Sequence, residues 1–167
     1  VASFSRMFFT YSYEQVRVTE LNPFYYTQGL AAQNPFLADS LLLGAGGKRT
    51  ISKVTPSFVH NTVDNPIFPT RGRRVTTSID LAGAGGDTNF IKPRFEAVQL
   101  IPVNRRTTLG FRAQVEYVRP YGDTNVLPIY ETLYLGGEYS VRGFDIRSIG
   151  PRDPRTGLVL GGNKSLL

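Results

Sequence analysis

Apolar and polar residues alternate with a period of two along most of the chain, as they do in extended strands whose side chains point to opposite faces. Five segments carry this pattern. The first, about Phe4 to Val18, sets Met7, Phe9, Tyr11 and Tyr13 against Arg6, Thr10, Ser12 and Glu14, with Phe8 as an exception. The second, Lys48 to Asn61, sets Val54, Pro56 and Phe58 against Lys53, Thr55 and Ser57. The third, Arg73 to Gly83, sets Val75, Thr77, Ile79 and Leu81 against Arg74, Thr76, Ser78 and Asp80. The fourth, Phe90 to Pro102, sets Ile91, Pro93, Phe95 and Ala97 against Lys92, Arg94 and Glu96. The fifth, Thr108 to Val118, sets Leu109, Phe111, Ala113, Val115 and Tyr117 against Arg112, Gln114 and Glu116. None of these first-named residues is charged.

A half-buried sheet in water gives the same alternation. Two details favour lipid. The segments run roughly 10–14 residues, long enough for a tilted strand to cross the hydrocarbon core. The other parity mixes both signs of charge mid-strand, as a wet barrel lumen does. Pro56 and Pro93 each remove a ladder donor and are expected at bulges. The expected fold is therefore all-β, an antiparallel meander forming part of a transmembrane barrel.

The connections alternate in length, as on the two ends of an outer-membrane barrel. The stretch from Thr19 to Gly47 is long and holds one expected short helix, with Asn34 as N-cap, Pro35 as first helical residue and Gly44 as stop. Asp64-Asn65-Pro66-Ile67-Phe68-Pro69-Thr70-Arg71-Gly72 reads as a rigid turn, and Asn104-Arg105-Arg106 as a short one. Gly83 to Asn89 is Gly-rich, and about 40 residues, Arg119 to Leu158, follow the fifth strand.

Composition narrows the picture. Charged residues make up 19% of the 167, below the roughly 25% of a soluble domain. The abundant aromatics exclude a disordered chain. The absence of Cys excludes a disulfide scaffold or a cysteine metal site, and the single His60 excludes a histidine cluster. No apolar run reaches the roughly 18 residues of a membrane-spanning helix. Net charge is +6. The basic residues are scattered, with Arg71, Arg73 and Arg74 at one turn and Arg105 and Arg106 at another, and no aromatic platform interleaves them. That pattern suits a solvated or lipid-headgroup-facing turn better than nucleic acid.

Enzymatic and nucleotide motifs fail on inspection. Gly44-Ala45-Gly46-Gly47-Lys48-Arg49-Thr50 has Leu42 where a phosphate loop needs Gly, and Arg49 where it needs Ser or Thr. The Gly83–Gly86 cluster has Thr88 where a dinucleotide loop needs its third Gly. Asp80 and Glu116 read as counterions for Arg74 and Arg112. No enzyme, metal or cofactor is expected. The chain begins Val1-Ala2-Ser3-Phe4 without a signal peptide and stops at Asn163-Lys164-Ser165-Leu166-Leu167, which reads as a strand beginning. An internal piece of a longer protein is the resulting expectation, with residues 1–167 as one partial barrel domain.

The distinctive segment is Leu135-Gly136-Gly137-Glu138-Tyr139-Ser140-Val141-Arg142-Gly143-Phe144, followed by Ile149-Gly150-Pro151-Arg152-Asp153 and Gly161-Gly162-Asn163-Lys164. A floppy surface loop has little use for an isolated Arg between Val and Phe. A loop folded back into a lumen needs apolar anchors and one charge to pair inside.

Here the sequence resembles the BamA-type outer-membrane assembly barrels, the bacterial surface antigen family. Val141, Arg142, Gly143 and Phe144 after Gly136 and Gly137 resemble the family's sixth extracellular loop. Asp64, Asn65, Pro66, Pro69 and Gly72 resemble its periplasmic turn before the ninth strand, and Gly161-Gly162-Asn163-Lys164 the start of its twelfth. The resemblance covers residues 48–167 and, more loosely, the rest.

It implies a sixteen-stranded barrel in the bacterial outer membrane, with strands seven to eleven and the beginning of twelve here, and with the long loops extracellular. It implies an insertase that folds other barrels without a cofactor. Its expected partners are outer-membrane lipids, nascent outer-membrane proteins, its own remaining strands and POTRA domains, and accessory lipoproteins. The family's acidic partner for the loop Arg lies beyond Leu167. Within this chain Asp80, Glu96 and Glu116 are the acids available to Arg142 on the polar face. The alternatives are a two-partner secretion pore, which shares the Arg-Gly-Phe loop, and a small structural or ligand-binding barrel, which has no use for it.

Overall fold

The structure, a computed structural model, describes residues 4–19, 47–154 and 157–167. The helix expected at residues 34–44 lies outside the described residues. Five long strands appear where the alternation placed them: β1 (Ser5–Arg17), β2 (Lys48–Asn61), β3 (Gly72–Ala82), β4 (Phe90–Asn104) and β5 (Thr107–Tyr117). Two short ones complete the sheet, β6 (Arg119–Pro120) and β7 (Lys164–Leu166). The order is β1-β2-β3-β4-β5-β7, antiparallel throughout, with β6 paired to β4. Among the described residues the sheet is open, with β1 and β7 at its edges.

The register carries the two-face argument across strand boundaries. Tyr11 pairs with Val54, Val54 with Leu81, and Leu81 with Ile91. On another rung Thr77 pairs with Phe95, and Phe95 with Val115. All the uncharged parities therefore share one face. Among the described residues most of that face is bare: Met7 is 66% exposed, Phe9 73% and Phe111 58%. Large apolar side chains left bare in this way over most of a sheet are what a lipid-facing wall requires.

The opposite face holds the core. Ile51, Ala82, Phe90 and Val118 are buried there against Leu127 and Leu133 of the segment that follows β6. Among the described residues the polar face is buried where this segment lies on it and open to solvent along much of the rest.

Neither proline is a bulge, contrary to expectation. The β2–β3 ladder lapses after Val54↔Leu81 and resumes at Ser57↔Ser78 without a change of register. Pro56 sits in that gap. The β4–β5 ladder stops at Arg94↔Glu116, and pairing resumes as Ile91↔Arg119, again in register. Pro93 sits in that one. Each proline withholds an N–H, so the ladder skips a pair of bonds, but no residue is inserted. The register shift in the β4–β5 ladder lies at Pro102/Asn104, next to the hairpin turn.

A charge on the uncovered face should be costly in a bilayer and tolerated on the other. Phe95→Arg is expected to destabilise vesicle-reconstituted protein by about 2–4 kcal/mol. Ser78→Arg, on the polar face, should stay within about 1 kcal/mol. Urea titration followed by tyrosine fluorescence measures both.

Candidate functional site

The segment from Tyr121 to Asn163 is long, yet its backbone is tied down at intervals. Bridges join Leu133 to Gly162, Leu135 to Ile149, and Arg152 to Val159. Tyr121 Oη donates to the Ala82 carbonyl, and Thr124 Oγ1 accepts from the Asn89 amide at 2.8 Å. The segment therefore returns over the polar face and reaches β7 with little slack.

Its main anchor is Glu131, which is only 5% exposed. Lys92 of β4 donates to Glu131 Oε2 at 3.0 Å and to its carbonyl at 3.2 Å. Lys53 of β2 lies 3.5 Å from Oε1 and also pairs with Glu14 of β1 at 3.0 Å. Two strand cations thus converge on one buried loop carboxylate. Burial, followed by the charges of Glu131 and Asp87, pushes the neighbouring Tyr130 hydroxyl up to about 12. A second attachment lies further along, where Arg112 Nη1 donates to the Tyr139 carbonyl at 2.8 Å.

The motif residues occupy the outer turn of this segment. Gly136 and Gly137 have positive φ, 107° and 101°. A Cβ at Gly136 would collide with the Asp145 carbonyl oxygen, so the close backbone crossing at this point requires glycine. Gly137 N donates to the Phe144 carbonyl at 3.0 Å, and the Ser140 hydroxyl accepts from Gly136 N at 2.8 Å. Val141 is half-buried, while Arg142, Gly143 and Phe144 are exposed. Gly143 and Phe144 line an open hollow of about 480 Å³ with Asp145, Ser148 and Arg152.

The structure does not bring Arg142 to Asp80, Glu96 or Glu116. Strand residues take those acids first. Asp80 accepts from the Thr55 hydroxyl at 2.8 Å. Glu96 holds Arg112 Nε at 3.1 Å and Arg74 at 3.8 Å. Glu116, 7% exposed, is paired with Arg94. Arg74 and Arg112, expected to pair with Asp80 and Glu116, instead share Glu96, and Glu116 takes Arg94. Sequence reasoning missed Glu131 altogether. The strands hold only a partial signal: basic residues outnumber acidic ones on the polar parity, which leaves cations free for an acid from elsewhere without naming it.

The Asp64 turn is closed by its own side chains. Asp64 Oδ1 accepts from the amides of Asn65, Thr70 and Arg71 at 3.0, 3.0 and 3.2 Å, and Oδ2 from the Thr70 hydroxyl. Asn65 Oδ1 accepts from Ile67 and Phe68. Pro66 and Pro69 have no N–H to satisfy and help wall a cavity of about 250 Å³ with Val63 and Leu100. Gly72, at φ 111°, packs where a Cβ would strike the Thr62 carbonyl. These hydrogen bonds hold the Asp64 carboxyl well below the usual carboxylate range.

The family model for the Omp85 superfamily domain matches residues 5–167. The chain belongs to the Omp85 superfamily. It is 34% identical over 122 residues to the outer membrane protein assembly factor BamA of Nitratidesulfovibrio vulgaris, covering 71% of this chain and 15% of that one. It is 35% identical over 116 residues to the sorting and assembly machinery component 50 homolog of Bos taurus, covering 66% of this chain and 23% of that one. The chain thus spans under a quarter of the length of these relatives. BamA from Haemophilus ducreyi superposes over 97% of this Omp85 chain and 32% of its own, with a TM-score of 0.69 at 19% identity. The open meander is accordingly a sector of such a barrel wall. The family match removes the small unrelated barrel from consideration.

Two outcomes follow for the loop and the turn. Glu131→Ala leaves Lys53 and Lys92 without their buried partner, a loss typically of about 3–5 kcal/mol. Trypsin should then cut at Arg142 and Arg147 faster, while strand circular dichroism is retained. For the turn, a carboxyl depressed on folding stabilises above its unfolded pKa of about 4 and loses that contribution as pH falls below it. The urea midpoint of wild type should therefore exceed that of Asp64→Ala at pH 6, and the gap should narrow progressively below about pH 4.

Proposed function

We propose that this chain is part of an outer-membrane insertase, which folds β-barrel proteins and inserts them into the bacterial outer membrane. The observation that carries the proposal is a glycine-built segment bearing Val141-Arg142-Gly143-Phe144, docked on the polar face of a lipid-facing Omp85 sheet. The relatives named for assembly of outer-membrane proteins and for sorting and assembly support it. They favour assembly over the two-partner secretion pore.

In this reading the sheet is a wall, the docked segment braces it from inside, and no bond is made or broken in the substrate. The protein is a non-enzymatic catalyst without a cofactor. Its partners are lipids, nascent outer-membrane proteins, the remaining strands and POTRA domains, and accessory lipoproteins. Arg142 stands clear of the acids on these strands, so the acid that takes it is supplied by another part of the barrel. An isolated guanidinium offers a planar fork of donors suited to a carboxylate.

The test uses full-length protein in proteoliposomes and the folding rate of a urea-denatured outer-membrane barrel. Wild type should accelerate folding. Arg142→Ala should lower the rate at least tenfold, with partial recovery in Arg142→Lys. Wild-type vesicles no faster than empty ones would overturn the assignment.

A further inference from the structure

The uncovered face is uncharged only in its middle. Followed to the loop end, it carries Arg17, Lys48, Arg119 and Lys164, all exposed, and no acidic residue on any strand. Arg17 and Lys48 are direct register partners. Like charges placed opposite one another repel and destabilise a sheet unless an anion sits between them. Glu14, the nearest strand acid in sequence, points to the other face, where Lys53 holds it.

Arg17, Arg119 and Lys164 also lie along one line, with Lys48 within two residues of it. Arg119 stands on the rung of Ile91, Leu81, Val54 and Tyr11, and Tyr11 is six residues below Arg17. Lys164 pairs with Tyr117, two residues lower still, its ammonium 5.9 Å from the ring centre. At about 3.4 Å per residue and about 4.8 Å per strand, the line falls across the sheet with a slope close to the roughly 45° tilt of membrane-crossing strands. The turns at the opposite end step down in the same direction. A slanted line on a tilted sheet is a level line in the membrane. It marks one depth, where hydrocarbon gives way to headgroups.

We infer that Arg17, Lys48, Arg119 and Lys164 form a binding girdle for the phosphate groups of lipids in the leaflet on the loop side. The Arg17–Lys48 pair grips one phosphate from two sides, and Arg119 and Lys164, diagonal neighbours, grip another. The absence of acids from the described strands on this face favours anionic headgroups at the girdle. Lipid-borne phosphate is the ligand because the apolar band directly below the cations holds the acyl chains of the same molecule.

This inference rests on the membrane reading of the face, and the experiment separates the two. Full-length protein is refolded into vesicles of phosphatidylcholine alone or with one fifth phosphatidylglycerol, and lipid preference is read by quenching with brominated forms of each lipid. Wild type should insert into both and enrich the anionic lipid at its surface. Each of Arg17→Gln, Lys48→Gln, Arg119→Gln and Lys164→Gln should lower that enrichment, by up to about fivefold, with insertion into neutral vesicles unchanged. Inorganic phosphate at 10 mM should not compete. Wild type that inserts without enrichment, or loses it to free phosphate, overturns the girdle and leaves the membrane reading intact. Failure to insert into either vesicle overturns both.

Discussion

Side-chain direction reverses at every residue of a strand, so a slip of one residue between neighbours would exchange the two faces of this sheet. Arg94, Glu96 and Arg112 would meet lipid, and Phe95, Phe111 and Val115 would line the wet side. In a bilayer each misplaced basic charge costs about 2–4 kcal/mol at mid-depth, so the register is enforced by the sum of many such penalties. It holds through both prolines because they remove hydrogen bonds without adding a residue. The lipid wall, the charge network and the docking of the long segment all presuppose that single alignment.

On the polar face the organising principle is electrostatic. Strand cations exceed strand acids: Lys53 stands between Ser12 and Ala82 on its rung, and Asp80, opposite Lys92, takes the Thr55 hydroxyl. Glu131 supplies an acid to both lysines from the docked segment. The apolar contacts of Leu127 and Leu133 add non-directional burial beside it, and the carboxylate fixes where that burial occurs. The segment consequently behaves as an inner layer of the wall along its attached stretches and as a presented motif at Arg142 to Phe144.

Much of this was legible in the sequence. The strands were placed within a residue or two because a period-two pattern over more than ten residues leaves little freedom. The Asp64 turn was legible because Asp, Asn and Pro each restrict a short backbone stretch by a known mechanism. The anchor at Glu131 was not legible, since Pro128-Ile129-Tyr130-Glu131 has no periodicity and its partners lie about 40 and 80 residues away. Arg142 drew attention by its flanking residues, yet nearer strand residues claim the acids: arginines take Glu96 and Glu116, and Thr55 takes Asp80. Hairpin neighbours and cross-strand partners reach them at far less entropic cost than a distant loop residue does.

The two prolines share a rung. Phe9 faces Pro56, the β2–β3 register sets Pro56 opposite Ile79, and Ile79 faces Pro93. The skipped bonds therefore fall at one height, on both sides of β3 and its neighbour. A sheet resists flexing in proportion to the bonds that must distort, and here a crease is written across the wall. When the wall is squeezed towards an oval cross-section, strain gathers along Phe9, Ile79 and the proline pair. Lys92, which Glu131 holds, lies next to Pro93 on this line, so flexing of the wall reaches the anchor of the docked segment.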